Sequence, residues 1–174
     1  TRQTPAHERD SMYAYMLGQI QKKKQVFVIC SLITQKKEDP LSPQLPQPTA
    51  AQERKSVLEE TARLEKIFPQ ITIRSLHGAM PAEEKERIMN DMRDLKIDIL
   101  VATSLVEVGI DIPNATVMVI EDAEHFGLAQ LHQFRGRIGR SGDQAVCFVC
   151  SASSSIESRH RLEYFAAHSD GFLL

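Results

Sequence analysis

The chain has 174 residues, 42% hydrophobic and 25% charged, which fits one globular domain with a sizeable core. The net charge of -2 does not announce a nucleic-acid binder, so any polyanion contact must come from a local basic patch. No apolar run reaches the ~18 residues of a membrane span, and the N-terminus lacks the basic-then-apolar layout of a signal peptide. The start at Thr1 reads as a cut from something longer. Cys30, Cys147 and Cys150 read as reduced, intracellular cysteines. Residues 6–22 predict a helix through the spacing of Met12, Tyr15, Met16 and Ile20. Gln25 to Ser31 (QVFVICS) is a short apolar run of the kind a buried strand shows. Residues 35–50 hold four prolines and predict an exposed loop. A helix from about Ala51 to Phe68 carries an apolar stripe through Val57, Leu58, Ala62, Leu64 and Ile67. ITIRSL at 71–76 alternates as a strand does; Pro81 then suits a first helical turn, and Ile88, Met92 and Leu95 line the face of that helix. Residues 97–102, 115–120 and 145–150 give three further strands, a short helix and loop lie between Gly127 and Arg140, and a last helix runs from about Ser154 to His168. Strands alternating with helices predict a three-layer α/β fold, a mainly parallel sheet covered by helices on both faces, with ligands beyond the carboxyl ends of the strands.

The densest chemical signal is GLAQLHQFRGRIGRSG at 127–142. Gly136, Gly139 and Gly142 let the backbone turn tightly, and Arg135, Arg137 and Arg140 offer planar forks that match phosphate oxygens. Taken alone, a basic surface turn explains the segment equally well. The second signal is ILVATSLVEVGIDIP at 99–113. Thr103 and Ser104 follow a strand end directly, where hydroxyls can meet a phosphate, and Asp111 after Gly109 can accept from a ribose hydroxyl. An ordinary turn with a solvated aspartate explains that segment alone at least as well.

Together the two segments resemble motifs V and VI of the superfamily 2 helicases. Gln133, Gly136, Arg137, Gly139 and Arg140 match the Q-x-x-G-R-x-G-R of motif VI without a gap, and Ala102, Thr103, Gly109 and Asp111 match motif V. QVFVICS resembles motif IV, and the L-H-G turn with the helix after it (LHGAMPAEEKERIM, 76–89) resembles the next segment of that family. FGLAQLHQFRGRIGR at 126–140 is similar to the RecG subfamily and to the transcription–repair coupling factor; Ser169, Asp170, Gly171 and Phe172 favour RecG.

The resemblance implies a single second RecA-like motor domain, spanning residues 1–174 of a longer enzyme. No G-x-x-x-x-G-K-[ST] occurs, so the cradle for the β-phosphate is absent. ATP with Mg²⁺ is expected to sit mainly on the first RecA-like domain of the same parent chain. Arg137 and Arg140 would serve as catalytic arginines, with Gly109, Asp111, Gln133 and Gly136 completing the nucleotide side. Ser31, His77, Gly78, Thr103 and Ser104 would meet branched or duplex DNA. The isolated domain is expected to be inactive as an ATPase, and the parent enzyme to be cytoplasmic, bacterial and nucleoid-associated. A free-standing nucleic-acid-binding module stays open as an alternative. A nucleotide-binding enzyme of another class would need a glycine-rich turn after the first strand, where Cys30–Ser31–Leu32 stands instead.

VMVIEDAEH at 117–125 imitates a Walker B strand, but Glu121 precedes Asp122 and the segment lies between motifs V and VI, so it reads as a connection. Cys147 and Cys150 sit three apart on a strand and therefore on opposite faces, which excludes a shared metal.

Overall fold

A computed structural model of the chain describes residues 1–31, 50–103, 114–139, 144–153 and 155–168, and for residues 50–53 the backbone only. In chain order the elements are β1 (Arg2–Thr4), α1 (Arg9–Gln21), β2 (Gln25–Cys30), α2 (Ala50–Ile67), β3 (Ile73–Leu76), α3 (Ala82–Arg93), β4 (Ile99–Thr103), β5 (Ala115–Ile120), α4 (Leu128–Arg135), β6 (Val146–Cys150) and α5 (Ile156–Ala167). Single 3₁₀ turns at Ala6–Glu8 and Ala123–His125 lead into α1 and follow β5.

Among the described residues the strands form one six-stranded sheet in the order β1-β6-β5-β2-β4-β3. Every pairing is parallel, so all strand starts lie along one edge and all strand ends along the other. The expected three layers are present. Alternation along each strand feeds two cores. Val26, Val28 and Cys30 join Met12, Met16, Val57 and Leu64 under α1 and α2. Phe27 and Ile29 join Ile88, Met92, Leu131, Phe134, Leu162 and Phe165 under α3, α4 and α5. Because both faces are covered, β2, β4, β5 and β6 are buried throughout, which is why they read as continuous apolar runs. Cys147 lies in one core and Cys150 in the other, and burial holds both thiols up at about 12.

One buried polar group ties the layers together. Gln25 donates from Nε2 to the carbonyls of Met92 and Ile97, each at 2.7 Å, fixing the end of α3 to the approach of β4. Among the described residues, two helices end in a left-handed residue that is not glycine. At the end of α3, Leu95 (φ 59°) donates to Met92 and Lys96 donates to Asp91. At the end of α1, Lys23 (φ 62°) donates to Ile20 and Lys24 to Gln19. Both are Schellman closures, which satisfy the last carbonyls of a helix. The edge strand β1 was not foreseen: three residues, Arg-Gln-Thr, pair with Phe148, Val149 and Cys150 of β6.

Candidate functional site

The expected site residues that the structure describes fall at two opposite edges of the sheet. At the amino edge lies the motif VI segment. Helix α4 opens at Gly127, whose N–H donates to Gln130 Oε1 at 3.1 Å. Leu131 and Phe134 enter the core, where Phe134 meets Phe126 edge-on at 5.2 Å. Their burial turns Gln133 outward to solvent. The chain then tightens: Gly136 N–H donates to His132, and Arg137 N–H to Phe134. Ile138 plugs into the core. Gly139 takes φ 75°, where a side chain would be strained, and donates to Ala115 O at 3.1 Å. Residues 136–139 are thereby strapped to the start of β5. Arg137 is half-buried, and its guanidinium makes no hydrogen bond or ion pair with a described residue. It has donors to spare for an anion, which fits a phosphate group. Gly109, Asp111, Ser104 and Arg140 lie outside the described residues.

Arg135, read from the sequence as a phosphate group's partner, turns inward instead. It donates to Phe165 O at 3.3 Å, His168 O at 2.8 Å and Thr1 Oγ1 at 3.2 Å. Its guanidinium lies 4.7 Å from the Phe165 ring centre, and burial lowers its pKa. Arg135 is thus a staple between α4 and α5. Arg135 and Arg137 are therefore not equivalent.

At the carboxyl edge, β2, β3 and β4 end side by side with Ser31, His77–Gly78 and Thr103. Their ladder pairs Cys30 with Thr103 and Leu76 with Ala102. His77 is buried and its carbonyl accepts from Met80 N–H at 3.2 Å, closing the L-H-G turn. Lys85, from the first turns of α3, donates to Gly78 O at 2.8 Å and fixes that turn. Thr103 is fully buried, and its hydroxyl has no hydrogen-bond partner among the described residues. Ser31 is 1% exposed. Its hydroxyl donates to Asp122 Oδ2 at 3.3 Å, and its carbonyl accepts from Ser56 Oγ at 2.9 Å.

Beside Ser31, at the end of β5, sits a dense ionic cluster. Glu121 is buried and accepts from Arg9 at 2.8 and 2.6 Å and from Arg63 at 3.1 Å. Arg63 also holds Glu60 at 2.5 and 2.8 Å and the Tyr13 hydroxyl at 2.5 Å. The carboxylates raise the pKa of both arginines, Glu121 first for Arg9 and Glu60 first for Arg63. Burial raises that of Glu60 despite Arg63. Glu121 N–H donates to Ile29 O at 2.8 Å, and Asp122 follows in the left-handed region at φ 48°, ψ 46°. Burial, then the charges of Glu121 and Glu124, raises the Asp122 pKa. The imitation Walker B pair is therefore part of a structural junction between α1, α2 and β5.

Lys85, Asp122, Arg9, Arg63 and Glu60 were not singled out as site residues by the sequence. Lys85 has one legible cue, its place seven residues after Gly78 on the helix that follows the turn. The ionic cluster has none, because its members are 112 and 58 positions apart.

Residues 8–142 match the helicase conserved C-terminal domain family. The chain is 40% identical to the ATP-dependent DNA helicase RecG of Synechocystis sp. over 97% of its length, and 38% identical to that of Thermotoga maritima over 97%. It spans about a fifth of each of those proteins, 19% and 20%. A structure of RecG bound to a three-way DNA junction superposes with a TM-score of 0.75 at 35% identity, covering 98% of this chain and 20% of that one. S. cerevisiae Dbp5 bound to RNA and ADP BeF3 shares the fold, with a TM-score of 0.61 at 16% identity over 97% of this chain and 39% of that one. The chain belongs to the helicase conserved C-terminal domain family, as a RecG-like member of superfamily 2.

Proposed function

We propose that this domain is the second motor domain of an ATP-dependent DNA helicase or translocase that remodels branched DNA. In this reading it completes an ATP site at its amino edge and contacts DNA phosphates at its carboxyl edge. The observation that carries the reading is the separation of the two residue sets. Gly136 to Gly139 are strapped to the start of β5 by the Gly139–Ala115 hydrogen bond, while Ser31, His77–Gly78 and Thr103 end their strands on the other side. A domain with one face for nucleotide and another for DNA can change its grip on one when the other changes.

Arg137 and Arg140 reach across to the first RecA-like domain of the same parent chain, which holds ATP with Mg²⁺. Bound there, the nucleotide supplies phosphoryl-transfer chemistry. The two guanidiniums stabilise charge on the transferred group, an effect on the order of 10³–10⁵ in rate in known NTPases. Gln133, exposed on the outer face of α4, positions nucleotide, and Gly136 keeps the backbone close to it. Gly109 and Asp111 serve the ribose side. On the carboxyl edge, the His77–Gly78 turn, steadied by Lys85, meets DNA phosphates together with Ser31, Thr103 and Ser104. Such contacts fix position and carry no sequence information. The hydroxyls of Ser31 and Thr103 are enclosed and meet DNA once their side chains turn outward. The parent enzyme acts in the cytoplasm, on nucleoid DNA.

The test is Arg137→Ala in the full-length protein that carries this domain. Hydrolysis stimulated by DNA should fall by about two to three orders of magnitude, with DNA affinity and thermal stability unchanged. Equal loss of DNA affinity would place Arg137 on the wrong edge.

A further inference from the structure

We propose that Asp122 is a positioning residue that holds Ser31 away from DNA, so that DNA binding requires Ser31 to exchange one acceptor for another. The inference rests on the reading that the carboxyl edge faces DNA phosphates.

A serine hydroxyl has one proton to donate. Here that proton goes to Asp122 Oδ2, so Ser31 cannot donate to a phosphate while the bond stands. At 3.3 Å the bond is much longer than the ~2.5–2.7 Å of a strong hydroxyl–carboxylate pair, hence weak and exchangeable. The groups around it are fixed. Ser56 Oγ donates to the Ser31 carbonyl at 2.9 Å, so the backbone stays and only the side chain rotates. Asp122 is held from behind, since Glu121 is tied to Ile29 O through its N–H and to Arg9 and Arg63 through its carboxylate. The Asp122 backbone is left-handed, φ 48°, a conformation Asp and Asn accept better than most residues. That conformation delivers the carboxylate onto Ser31.

Two consequences follow for an approaching phosphate. It competes with Asp122 for the Ser31 proton, and it meets a carboxylate of like charge beside that proton. Both lower the affinity of this edge for DNA; removing the charge on residue 122 ends the repulsion and weakens the competition, because an amide oxygen accepts the Ser31 proton less strongly than a carboxylate does. The device favours weak, reversible contact, which suits a domain that must release DNA in every cycle.

The experiment measures the affinity of the full-length protein for a fluorescein-labelled DNA duplex at low salt, by anisotropy, for Asp122→Asn, Ser31→Ala and both together. Asn keeps the left-handed backbone and the shape of the side chain. Asp122→Asn should tighten binding about threefold to tenfold, as expected for removing one like charge near a phosphate in a partly screened setting. The gain should be at least about twofold smaller in the Ser31→Ala background, where the like-charge part remains and the part that runs through the hydroxyl is lost. An equal gain with and without Ser31 would overturn the proposal, since Asp122 would then act only as a nearby charge. No gain at all would overturn it too. His77→Ala separates the two readings. If it weakens binding while the Ser31 and Asp122 variants do nothing, the carboxyl edge still faces DNA and only the exchange fails. If none of the variants changes affinity, the DNA reading of this edge fails with it.

Discussion

Replacing Glu121 with Gln tests whether the end of β5 is structural. The carboxylate takes two hydrogen bonds from Arg9 and one from Arg63. Gln keeps the shape and one acceptor oxygen but removes the charge between two guanidiniums. Breaking a fully buried pair from one side costs about 3–5 kcal/mol. The side chains here are 9% exposed for Glu121, 28% for Arg9 and 38% for Arg63, and Arg63 keeps Glu60, so screening reduces the cost to about 2–3 kcal/mol. For a domain this size that corresponds to a fall in Tm of roughly 4–12 °C. The chain has no tryptophan, so far-UV circular dichroism is the appropriate probe of unfolding. Arg9→Met and the double variant complete a cycle, in which the two losses should overlap by about 1 kcal/mol or more. A loss below about 0.5 kcal/mol for Glu121→Gln, or strict additivity with Arg9→Met, would refute the reasoning. A stable variant that had lost ATP hydrolysis in the full-length protein would restore the Walker B reading of Glu121.

Other outcomes follow from the same geometry. Arg135→Ala should destabilise the fold by about 1–3 kcal/mol in urea unfolding, because it removes the staple to the Phe165 and His168 carbonyls and the ring contact; a neutral result would return Arg135 to the phosphate-binding set. Leu95→Gly should stabilise by about 1 kcal/mol, since Leu95 is 51% exposed and sits where glycine carries no steric penalty; the Tm would fall if the leucine contributed more through packing. Asp122→Asn should change stability with pH in a defined sense. A carboxyl group whose folded pKa is raised adds stability that is present below its ordinary value of 3.8 and is lost as pH rises through the raised value. The Tm of Asp122→Asn relative to the parent should therefore climb from acid to neutral pH, and a flat difference would mean that the carboxyl titrates as it does unfolded.

Much of this architecture could be read from the residues because burial on both sheet faces leaves apolar runs with sharp ends. Ala115–Ile120 is the plainest case, the same six residues in the sequence reading and in the structure. The motif VI segment was legible through its resemblance to the superfamily 2 helicases, and the φ of 75° at Gly139 gives the physical reason for one of its glycines. Long-range arrangements were not legible. Strand β1 carries no alternation and exists because β6 offers it a ladder. Arg135 looks like its neighbours Arg137 and Arg140, yet the carbonyls that capture it belong to residues 30 and 33 positions away. The motif VI segment returns along α4 to the start of β5, the edge opposite the carboxyl ends of the strands, so the nucleotide role proposed for it needs a second domain.

The central claim, that this domain carries only half of an ATP site, is tested most directly by DNA-stimulated ATP hydrolysis. The assay compares the 174-residue chain with the full-length protein that carries it. The short chain should show no turnover above background, and the long one turnover that rises with DNA. Steady hydrolysis by the short chain alone would contradict it and would require a complete nucleotide site within these residues.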